Sequence, residues 1–411
     1  MMLLRDIGNR FLAVLLIVAT LALPAAAQEK VLARATASAP APVSAPAKAK
    51  ATPVKKIAST SRKAPTAKKT SPRSTRRASR TALKPRYPTY GDPSQGDDPS
   101  RDDPIVRQAA VSSLGNLMGA VVVVDPTNGR VLSVVNQQLA FSGGYQPCSA
   151  FKPAVALAAL GEGIIETDRT KLELGKRWNL DLHKALAISN NLYFEKLGRL
   201  LGIDKLEQYA RQFGFGEQAG WGIEPEPAGA FPASPPPAWQ GGVGRVASFG
   251  QGISMTMFQL ASFTSSLANG GTLYYLQYPP SGQNDGFTPK VKRELPFGSY
   301  LDAVREGMEE AVLTGTARRA KMADLHVLGK TGTCSQDGAR LGWFTGYNRE
   351  SGGVALVVLL RTGQSLGGGP RASQVAGQIF RRLGEMNYYA SAERSNPSRT
   401  LPASLQIPRF P

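Results

Sequence analysis

Residues 147–153 read Pro147-Cys148-Ser149-Ala150-Phe151-Lys152-Pro153, and the apolar run 154–160 follows. The run predicts a buried helix that ends at Gly161, and Pro153 fits its first turn because no backbone donor is needed there. Ser149 and Lys152 are three residues apart, so a helix would place both on one face. An amine beside a hydroxyl can make a serine nucleophilic without a histidine. A capped helix with a solvated lysine is the alternative, because Ser-x-x-Lys alone is a weak motif.

Two further short motifs follow along the chain. Ser189-Asn190-Asn191 lies within or at the edge of a predicted helix, Leu182–Leu200, and Lys330-Thr331-Gly332-Thr333 lies on a predicted strand, Val327–Cys334. Each motif is weak alone. Together, in the order helix, helix edge and strand, the three motifs resemble those of the penicillin-recognising serine transferases.

The resemblance extends over residues 106–388, and in detail this part of the chain resembles the transpeptidase domain of penicillin-binding proteins. It rests on the hairpin Ala120–Val135, on a helix with Gln259-Leu260 and Ala268-Asn269-Gly270-Gly271, on Gly315-Thr316-Ala317, and on Trp343-Phe344 with Gly346-Tyr347.

The strand pattern and the resemblance together predict an α+β fold. The β-branched run before the turn 125–129 predicts an early hairpin, and three strand-like runs come late, at Val327–Cys334, Leu341–Tyr347 and Val354–Leu360. Short polar loops between the late runs favour antiparallel pairing. We expect an antiparallel sheet flanked by helices, with an inserted helical subdomain, of the β-lactamase/transpeptidase type.

The resemblance implies catalytic roles for four residues. Ser149 would attack a carbonyl beside a D-alanine or the strained carbonyl of a β-lactam. Lys152 would be the base, neutral near pH 7 because of burial and a nearby cation, Lys330. Ser189 would pass a proton to the leaving amine.

The resemblance also implies a substrate-binding surface. Asn191 would bind the substrate amide, although a helix cap is its alternative role. Lys330, Thr331 and Thr333, on the motif that includes Gly332, would hold the substrate carboxylate. The backbone N–H groups of Ser149 and Thr333 would form the oxyanion hole.

The two cysteines of the chain flank these two oxyanion donors. Cys148 precedes Ser149 and Cys334 follows Thr333. The oxyanion geometry that the resemblance implies would bring them together, so we expect a disulfide in an oxidising compartment. Carbapenem-hydrolysing class A β-lactamases have a similar bridge at matching positions. Two buried thiols are the alternative.

Charge divides the chain unevenly. Its formal net charge is +19, but residues 28–105 hold 17 basic and 6 acidic side chains, and the remainder from Val106 is only mildly basic. We therefore expect no nucleic-acid-binding fold. Residues 28–105 are rich in Ala, Pro and Lys, which predicts a disordered linker. The linker is either a spacer or a tether to an anionic envelope polymer.

The first 27 residues resemble an export signal. Arg5 and Arg10 flank the start of the apolar stretch Phe11–Leu23, and Ala25-Ala26-Ala27 offers a cleavage site. We expect an exported, periplasmic or otherwise extracytoplasmic protein, or one anchored in the inner membrane if the segment stays uncleaved. The predicted domain spans 106–388, and a loosely ordered tail spans 389–411.

The favoured function is a penicillin-binding D,D-transpeptidase that acts on peptidoglycan stem peptides and is acylated by β-lactams. A serine β-lactamase, a D,D-carboxypeptidase and a non-catalytic β-lactam-binding envelope protein are the alternatives. Residues 189–330 lack the Glu-x-x-Leu-Asn segment of class A β-lactamases, which argues against rapid deacylation. We expect no cofactor and no metal, since His183 and His326 are not spaced as a zinc site.

Overall fold

The computed structural model describes residues 87–395, apart from 224–225, 281–286, 299, 364–365 and 367. The predicted export signal 1–27, most of the predicted linker 28–105 and most of the predicted tail 389–411 lie outside the described residues.

Strands and helices alternate irregularly along the described residues. The strands are β1 (Gly119–Val124), β2 (Val131–Val135), β3 (Leu172–Gly175), β4 (Trp178–Leu180), β5 (Thr272–Tyr274), β6 (Val291–Glu294), β7 (Val327–Gln336), β8 (Ala339–Asn348) and β9 (Ala355–Thr362). The helices are α1 (Pro104–Leu114), α2 (Gln137–Phe141), α3 (Lys152–Gly161), α4 (Leu182–Ala187), α5 (Asn191–Gln212), α6 (Gly242–Phe249), α7 (Met257–Asn269), α8 (Tyr300–Leu313), α9 (Gly368–Glu385) and α10 (Tyr388–Ser395). None of these helices combines the length and the apolarity that a membrane span requires.

A five-stranded sheet organises the fold, with the strand order β2-β1-β9-β8-β7. Every neighbouring pair is antiparallel. The hairpin β1–β2 and the three late strands are the ones that the sequence predicts. Helices α2–α8 are inserted between β2 and β7. The predicted α+β fold with an antiparallel sheet and an inserted helical region is confirmed.

The β-branched run of strand β1 does not alternate between apolar and polar residues, because both of its faces are buried. All six of its residues are buried. Ala120, Val122 and Val124 face the core that includes α3 and α7. Val121 and Val123 face a second core that α1 and α9 cover. Because helices cover both faces of the sheet, both sets of side chains must be apolar.

The hairpin β7–β8 is longer than the sequence analysis predicts. Its strands pair from Val327 with Asn348 to Gln336 with Ala339, and the two-residue connection is Asp337-Gly338. Both connecting residues have positive φ, 51° and 80°. Asp-Gly favours such tight hairpin turns, so this turn was readable from the sequence.

The segment predicted as one helix, Leu182–Leu200, is two helices. Asp181 caps α4 and Asn190 caps α5, each accepting a hydrogen bond from a backbone N–H of the first turn. Ser189 lies between them with φ 55°. The second motif therefore interrupts the helical pattern: the C-cap of α4 is Ile188, just before the left-handed Ser189, and the Asn190 cap starts α5. A further break lies inside α5 at Gly202, where φ is 77°.

Residues 87–105 correct the predicted end of the linker, because they pack on the domain. The Asp97 and Asp102 carboxylates accept hydrogen bonds from the Arg107 guanidinium at 2.8 and 3.1 Å. Asp103 caps α1. Asp97 and Asp102 thus pair with a largely buried arginine of the domain, and the folded part begins by residue 87, before the predicted boundary at residue 106.

The other predicted boundary also moves. Residues 388–395 form α10, so part of the predicted tail is helical. Tyr389 is buried, and its hydroxyl donates to the Phe380 carbonyl at 3.1 Å. This aromatic anchor holds α10 against α9 and explains why order continues past residue 388.

Candidate active site

Ser149 lies in a 3-10 turn, Cys148–Phe151, that leads directly into α3. The Lys152 N–H donates to the Ser149 carbonyl. Side chains three residues apart eclipse each other in a 3-10 helix, so the turn aligns these two side chains on one face. Ser149 keeps 9% of its surface exposed, whereas Lys152 has none. The turn thus presents the hydroxyl at a surface and holds the amine beneath it.

The α4–α5 junction surrounds the Lys152 amine with acceptors. Lys152 Nζ donates to the Ser189 carbonyl at 2.8 Å, to Ser189 Oγ at 3.2 Å and to Asn191 Oδ1 at 2.8 Å. The helix cap is Asn190, which leaves the Asn191 side chain to face the amine. Within the residues that the structure describes, Asn191 Nδ2 donates to no partner, so its two N–H groups are available to a ligand.

Lys330 reaches the same hydroxyl from β7. Lys330 Nζ donates to Ser189 Oγ at 2.8 Å and to the Thr331 carbonyl at 2.9 Å. Both lysine side chains are fully buried. Among the described residues, no carboxylate lies within ion-pair distance of either amine. The Ser189 hydroxyl therefore joins two buried amines, neither of which forms an ion pair with a carboxylate in the described part of the chain.

Burial dominates the electrostatics of the pair. It holds the pKa of Lys152 well below its usual range, and the charge of Lys330 lowers that pKa further. Burial also lowers the pKa of Lys330, to about 7. Lys152 bears both effects and loses its proton first, because a buried cation beside another is costly. The arrangement supplies one neutral amine and one cation near neutral pH.

Strand β7 forms the edge of the sheet and packs against the 3-10 turn. A Cβ on Gly332 would lie 3.0 Å from the Pro147 carbonyl oxygen and 3.1 Å from Ala150 N. The Trp343 indole donates to the Gln146 carbonyl at 3.0 Å. Any larger residue would push the strand and the turn apart by a few tenths of an ångström, so glycine fits this close approach best. The edge of β7 with its unpaired backbone groups therefore borders the Ser149 turn.

A glutamine clamp fixes this junction, and the sequence analysis missed it. Gln336 Oε1 accepts from the Gln146 N–H at 2.9 Å, and Gln336 Nε2 donates to the Gly144 carbonyl at 2.6 Å. These partners lie about 190 residues apart in the chain. No local pattern marks such a contact.

Two predicted substrate-binding hydroxyls already have partners. Thr331 Oγ1 donates to Thr316 Oγ1 at 2.7 Å, and Thr333 Oγ1 accepts from the Gly369 N–H at 2.8 Å. The sequence marks Thr316 only as part of the resemblance, and no local pattern marks Gly369. These contacts orient Thr331 and Thr333 along the edge of β7.

The two cysteines meet at this same junction. The structure joins Cys148 Sγ to Cys334 Sγ, with the Cα atoms 5.7 Å apart. That separation is typical of natural disulfides. The predicted pairing is therefore compatible with the fold, and its presence in the native protein is a proposal.

The two histidines lie apart from the site. His183 Nδ1 lies 3.1 Å from an Arg169 nitrogen, and His326 Nδ1 lies 3.7 Å from a Glu350 oxygen. Within the described part of the chain, no group of three or more His, Cys, Asp or Glu side chains could hold a metal ion. The chemistry of the candidate site rests on the lysines and hydroxyls.

Comparison with known families identifies one domain. The model of the family "Penicillin binding protein transpeptidase domain" matches residues 119–384, which include all ten predicted site residues.

The curated relatives match this chain over only part of their own length. The chain is 25% identical over 395 residues to the peptidoglycan D,D-transpeptidase MrdA of Acinetobacter baumannii, covering 77% of this chain and 57% of that protein. It is 31% identical over 262 residues to the stage V sporulation protein D of Bacillus subtilis, covering 52% of this chain and 39% of that protein. The chain thus spans about half the length of these curated relatives.

Solved structures share the fold. The transpeptidase domain of penicillin-binding protein 3 from Burkholderia pseudomallei matches with a TM-score of 0.58 at 21% identity, over 71% of this chain and 97% of that one. The D,D-transpeptidase domain of a peptidoglycan glycosyltransferase from Eggerthella lenta matches with a TM-score of 0.54 at 20% identity, over 69% of this chain and 81% of that one.

Proposed function

The chain belongs to the family of penicillin-binding protein transpeptidase domains, and we propose that it is a serine D,D-transpeptidase acting on peptidoglycan stem peptides. The observation that carries this proposal is the Ser189 hydroxyl between the amines of Lys152 and Lys330, next to the turn that presents Ser149. A neutral buried amine beside a serine is the means by which the hydroxyl becomes a nucleophile.

In the proposed first step, neutral Lys152 takes the proton of the Ser149 hydroxyl while the Ser149 oxygen bonds to the carbonyl carbon of the donor peptide. The bond from that carbon to the leaving D-alanine nitrogen then breaks. The proton passes from Lys152 through the Ser189 hydroxyl to the leaving amine. In the second step the amine of an acceptor peptide attacks the acyl-Ser149 carbon and loses a proton to Lys152. The bond from that carbon to the Ser149 oxygen then breaks, and the proton passes from Lys152 to that oxygen, which restores the Ser149 hydroxyl and the neutral amine.

The substrate-binding roles follow the surface around these groups. The Ser149 and Thr333 N–H groups would stabilise the developing oxyanion. Cationic Lys330, with Thr331, Gly332 and Thr333, would receive the substrate carboxylate.

Asn191 would bind the substrate amide through Nδ2, since its oxygen already accepts from Lys152. A β-lactam would acylate Ser149 through the first step and block the second. We also propose penicillin binding on this basis.

The alternative activities differ in the acceptor. A serine β-lactamase needs a base that activates water at the acyl-enzyme. Among the described residues no carboxylate hydrogen-bonds Ser149, Lys152, Ser189 or Lys330, and the buried Glu226 uses its oxygens on the Thr256 hydroxyl and two backbone N–H groups. The absence of such a base favours slow deacylation. A carboxypeptidase would likewise pass the acyl group to water, but from a stem peptide, whereas a transpeptidase passes it to an amine.

The deciding experiment incubates the purified chain with a stem-peptide donor that ends in D-alanyl-D-alanine and with a D-amino acid as the amine acceptor. We expect a product whose terminal D-alanine is exchanged for the acceptor, and no such product from Ser149→Ala. If the sole product is the donor peptide without its terminal D-alanine, the activity is that of a carboxypeptidase. Rapid hydrolysis of a chromogenic cephalosporin would indicate a β-lactamase, and no reaction with either would leave a binding protein.

The location of the protein is a further proposal. We propose that residues 1–27 direct export, so that the domain works outside the cytoplasm, where a Cys148–Cys334 bond can persist. The mass of the mature protein decides cleavage: a chain that keeps residues 1–27 would be anchored instead.

The basic stretch 28–86 would then bind an anionic envelope polymer. Deleting it would lower binding to that polymer while the acylation rate stays unchanged, and equal polymer binding would leave it a spacer.

A further inference from the structure

A groove runs between the 3-10 turn Arg318–Ala320 and helix α9. Its volume is about 570 Å³, and its lining residues are Arg319, Arg371, Gln374, Gly377, Gln378 and Arg381. A Cβ on Gly377 would lie 2.7 Å from the Arg319 carbonyl oxygen. The close approach at this glycine forms the floor, and the arginines and glutamines form the walls.

The groove lies on the outward face of α9. Its inward face carries the buried residues Ala372, Val375, Ala376, Ile379, Phe380 and Leu383, which pack on the sheet. Arg371, Gln374, Gln378 and Arg381 follow the i, i+3, i+7, i+10 spacing of a single helix face. That face extends about 15 Å along the helix axis.

The arginines of the groove lack negative partners. Among the described residues, no carboxylate lies within ion-pair distance of Arg319, Arg371 or Arg381, whereas Arg107 pairs with two aspartates. The Arg371 guanidinium donates to Gln374 Oε1 at 2.9 Å, and that of Arg319 donates to the same oxygen at 3.5 Å. Two cations therefore sit side by side on one neutral acceptor, an arrangement that an anion would stabilise.

We propose that this groove binds a doubly charged phosphate group, as a phosphate ester or a diphosphate. Guanidinium groups bind phosphate oxygens in pairs of parallel hydrogen bonds, and the Arg319–Arg371 pair supplies two positive charges at one point. Gln378 adds amide donors, and Arg381 a third charge further along. The volume exceeds that of one phosphate and leaves room for an organic substituent. The site uses none of the four proposed catalytic residues, so it does not depend on the proposed function.

The test is the thermal unfolding of the full chain, measured with and without inorganic pyrophosphate. Binding to the folded state alone raises Tm, by about 4 °C at a free ligand concentration of 100 Kd for a domain of this size. Pyrophosphate is also attracted to the basic stretch 28–86. Comparison between variants that all retain this stretch isolates the contribution of the groove.

The informative variant is Arg319→Gln/Arg371→Gln, which keeps hydrogen-bonding side chains and removes two charges. The matched control is Lys176→Gln/Arg177→Gln. Both positions are exposed on the β3–β4 turn, and this double substitution also removes two positive charges, outside the groove. We expect the pyrophosphate shift in the parent and in the control and its loss in the groove variant. No shift in the parent, or an equal shift in the groove variant, overturns the proposal.

Three further probes identify the class of ligand. An equal Tm shift with citrate, abolished by the same variant, would assign the groove to carboxylates and overturn the phosphate assignment. Glycerol 3-phosphate and dihexanoyl phosphatidic acid carry the same phosphate monoester. A shift with both supports a soluble ester, and a shift with the lipid alone supports a lipid headgroup as the natural source.

Discussion

At the scale of single residues, the Ser189 hydroxyl is the point where three distant segments meet. It accepts from Lys152 of α3 and from Lys330 of β7, and it lies between two capped helices. Its φ of 55° is unusual for a serine and costs of the order of 1 kcal/mol or more. Hydrogen bonds from Lys152 to the Ser189 carbonyl and from both amines to the Ser189 hydroxyl hold this residue in place. The chemistry therefore depends on the charge states of the two lysines.

Acylation by penicillin should depend on pH in a bell-shaped manner. Lys152 acts only when neutral, so the second-order acylation constant rises as pH increases through its lowered pKa. Lys330 attracts the carboxylate only when charged, so the constant falls as pH rises above about 7. Stopped acylation reactions, quantified by mass spectrometry between pH 5 and 10, measure the profile. In Lys330→Arg the falling limb should disappear, because a guanidinium keeps its charge. An identical falling limb in both proteins would contradict the assignment.

Gly332→Ala should damage the site more than the stability. The new Cβ would press on the backbone of the Ser149 turn at 3.0–3.1 Å and on Trp343 at 3.2 Å. Overpacking of this kind costs about 1–3 kcal/mol, and we expect an acylation rate at least 100-fold lower because the turn and β7 must separate.

Gly175→Ala is the matched control for that variant. A Cβ there meets nothing within 4 Å. The control should keep both the acylation rate and the urea midpoint. Normal acylation by Gly332→Ala would show that the strand and the turn need not touch.

At the scale of elements, the edge strand β7 and the 3-10 turn form one unit. The glutamine clamp, the Trp343 indole and the cysteine pair all join these two elements. Either element alone would leave the distance between the Ser149 N–H and the Thr333 N–H undefined. Joined, they fix the separation between the Ser149 and Thr333 N–H groups on which the proposed oxyanion hole depends.

The cysteine pair should therefore stabilise this unit. Cys148→Ser/Cys334→Ser should unfold at lower urea concentration, with a loss of about 2–4 kcal/mol, since the bond would close a loop of 186 residues. We expect slower acylation as well. Alkylation and intact mass of the parent count its free thiols: two free thiols in the oxidised, folded parent would refute the bond.

The packed segment 87–105 offers a second test at the scale of elements. A chain that starts at residue 106 loses Asp97 and Asp102, and Arg107 then keeps the Val134 carbonyl as an acceptor but has no carboxylate partner. It should be about 3–5 kcal/mol less stable than a chain that starts at residue 87. Urea unfolding of the two truncated chains measures the difference. Equal stability would mean that the segment is the dispensable linker that composition suggests.

At the scale of the whole molecule, the sequence predicts the sheet and the three motifs because their signals are local. A β-branched run, a turn of Asp, Pro and Gly, and an apolar helix each appear within a few residues. The contacts that complete the site are not local. Gln336 meets Gln146, and Gly369 meets Thr333, through pairings that the strand order decides. Asp97 and Asp102 likewise resemble linker residues until Arg107 is placed beside them.

The most direct test of the account is the site of penicillin attachment. The full chain is incubated with a labelled penicillin, its intact mass is measured, and the labelled peptide is mapped. We predict one adduct per chain, on the peptide that contains Ser149, none in Ser149→Ala, and a strongly slowed reaction in Lys152→Ala. An unmodified parent, or an adduct that persists in Ser149→Ala, would contradict the account.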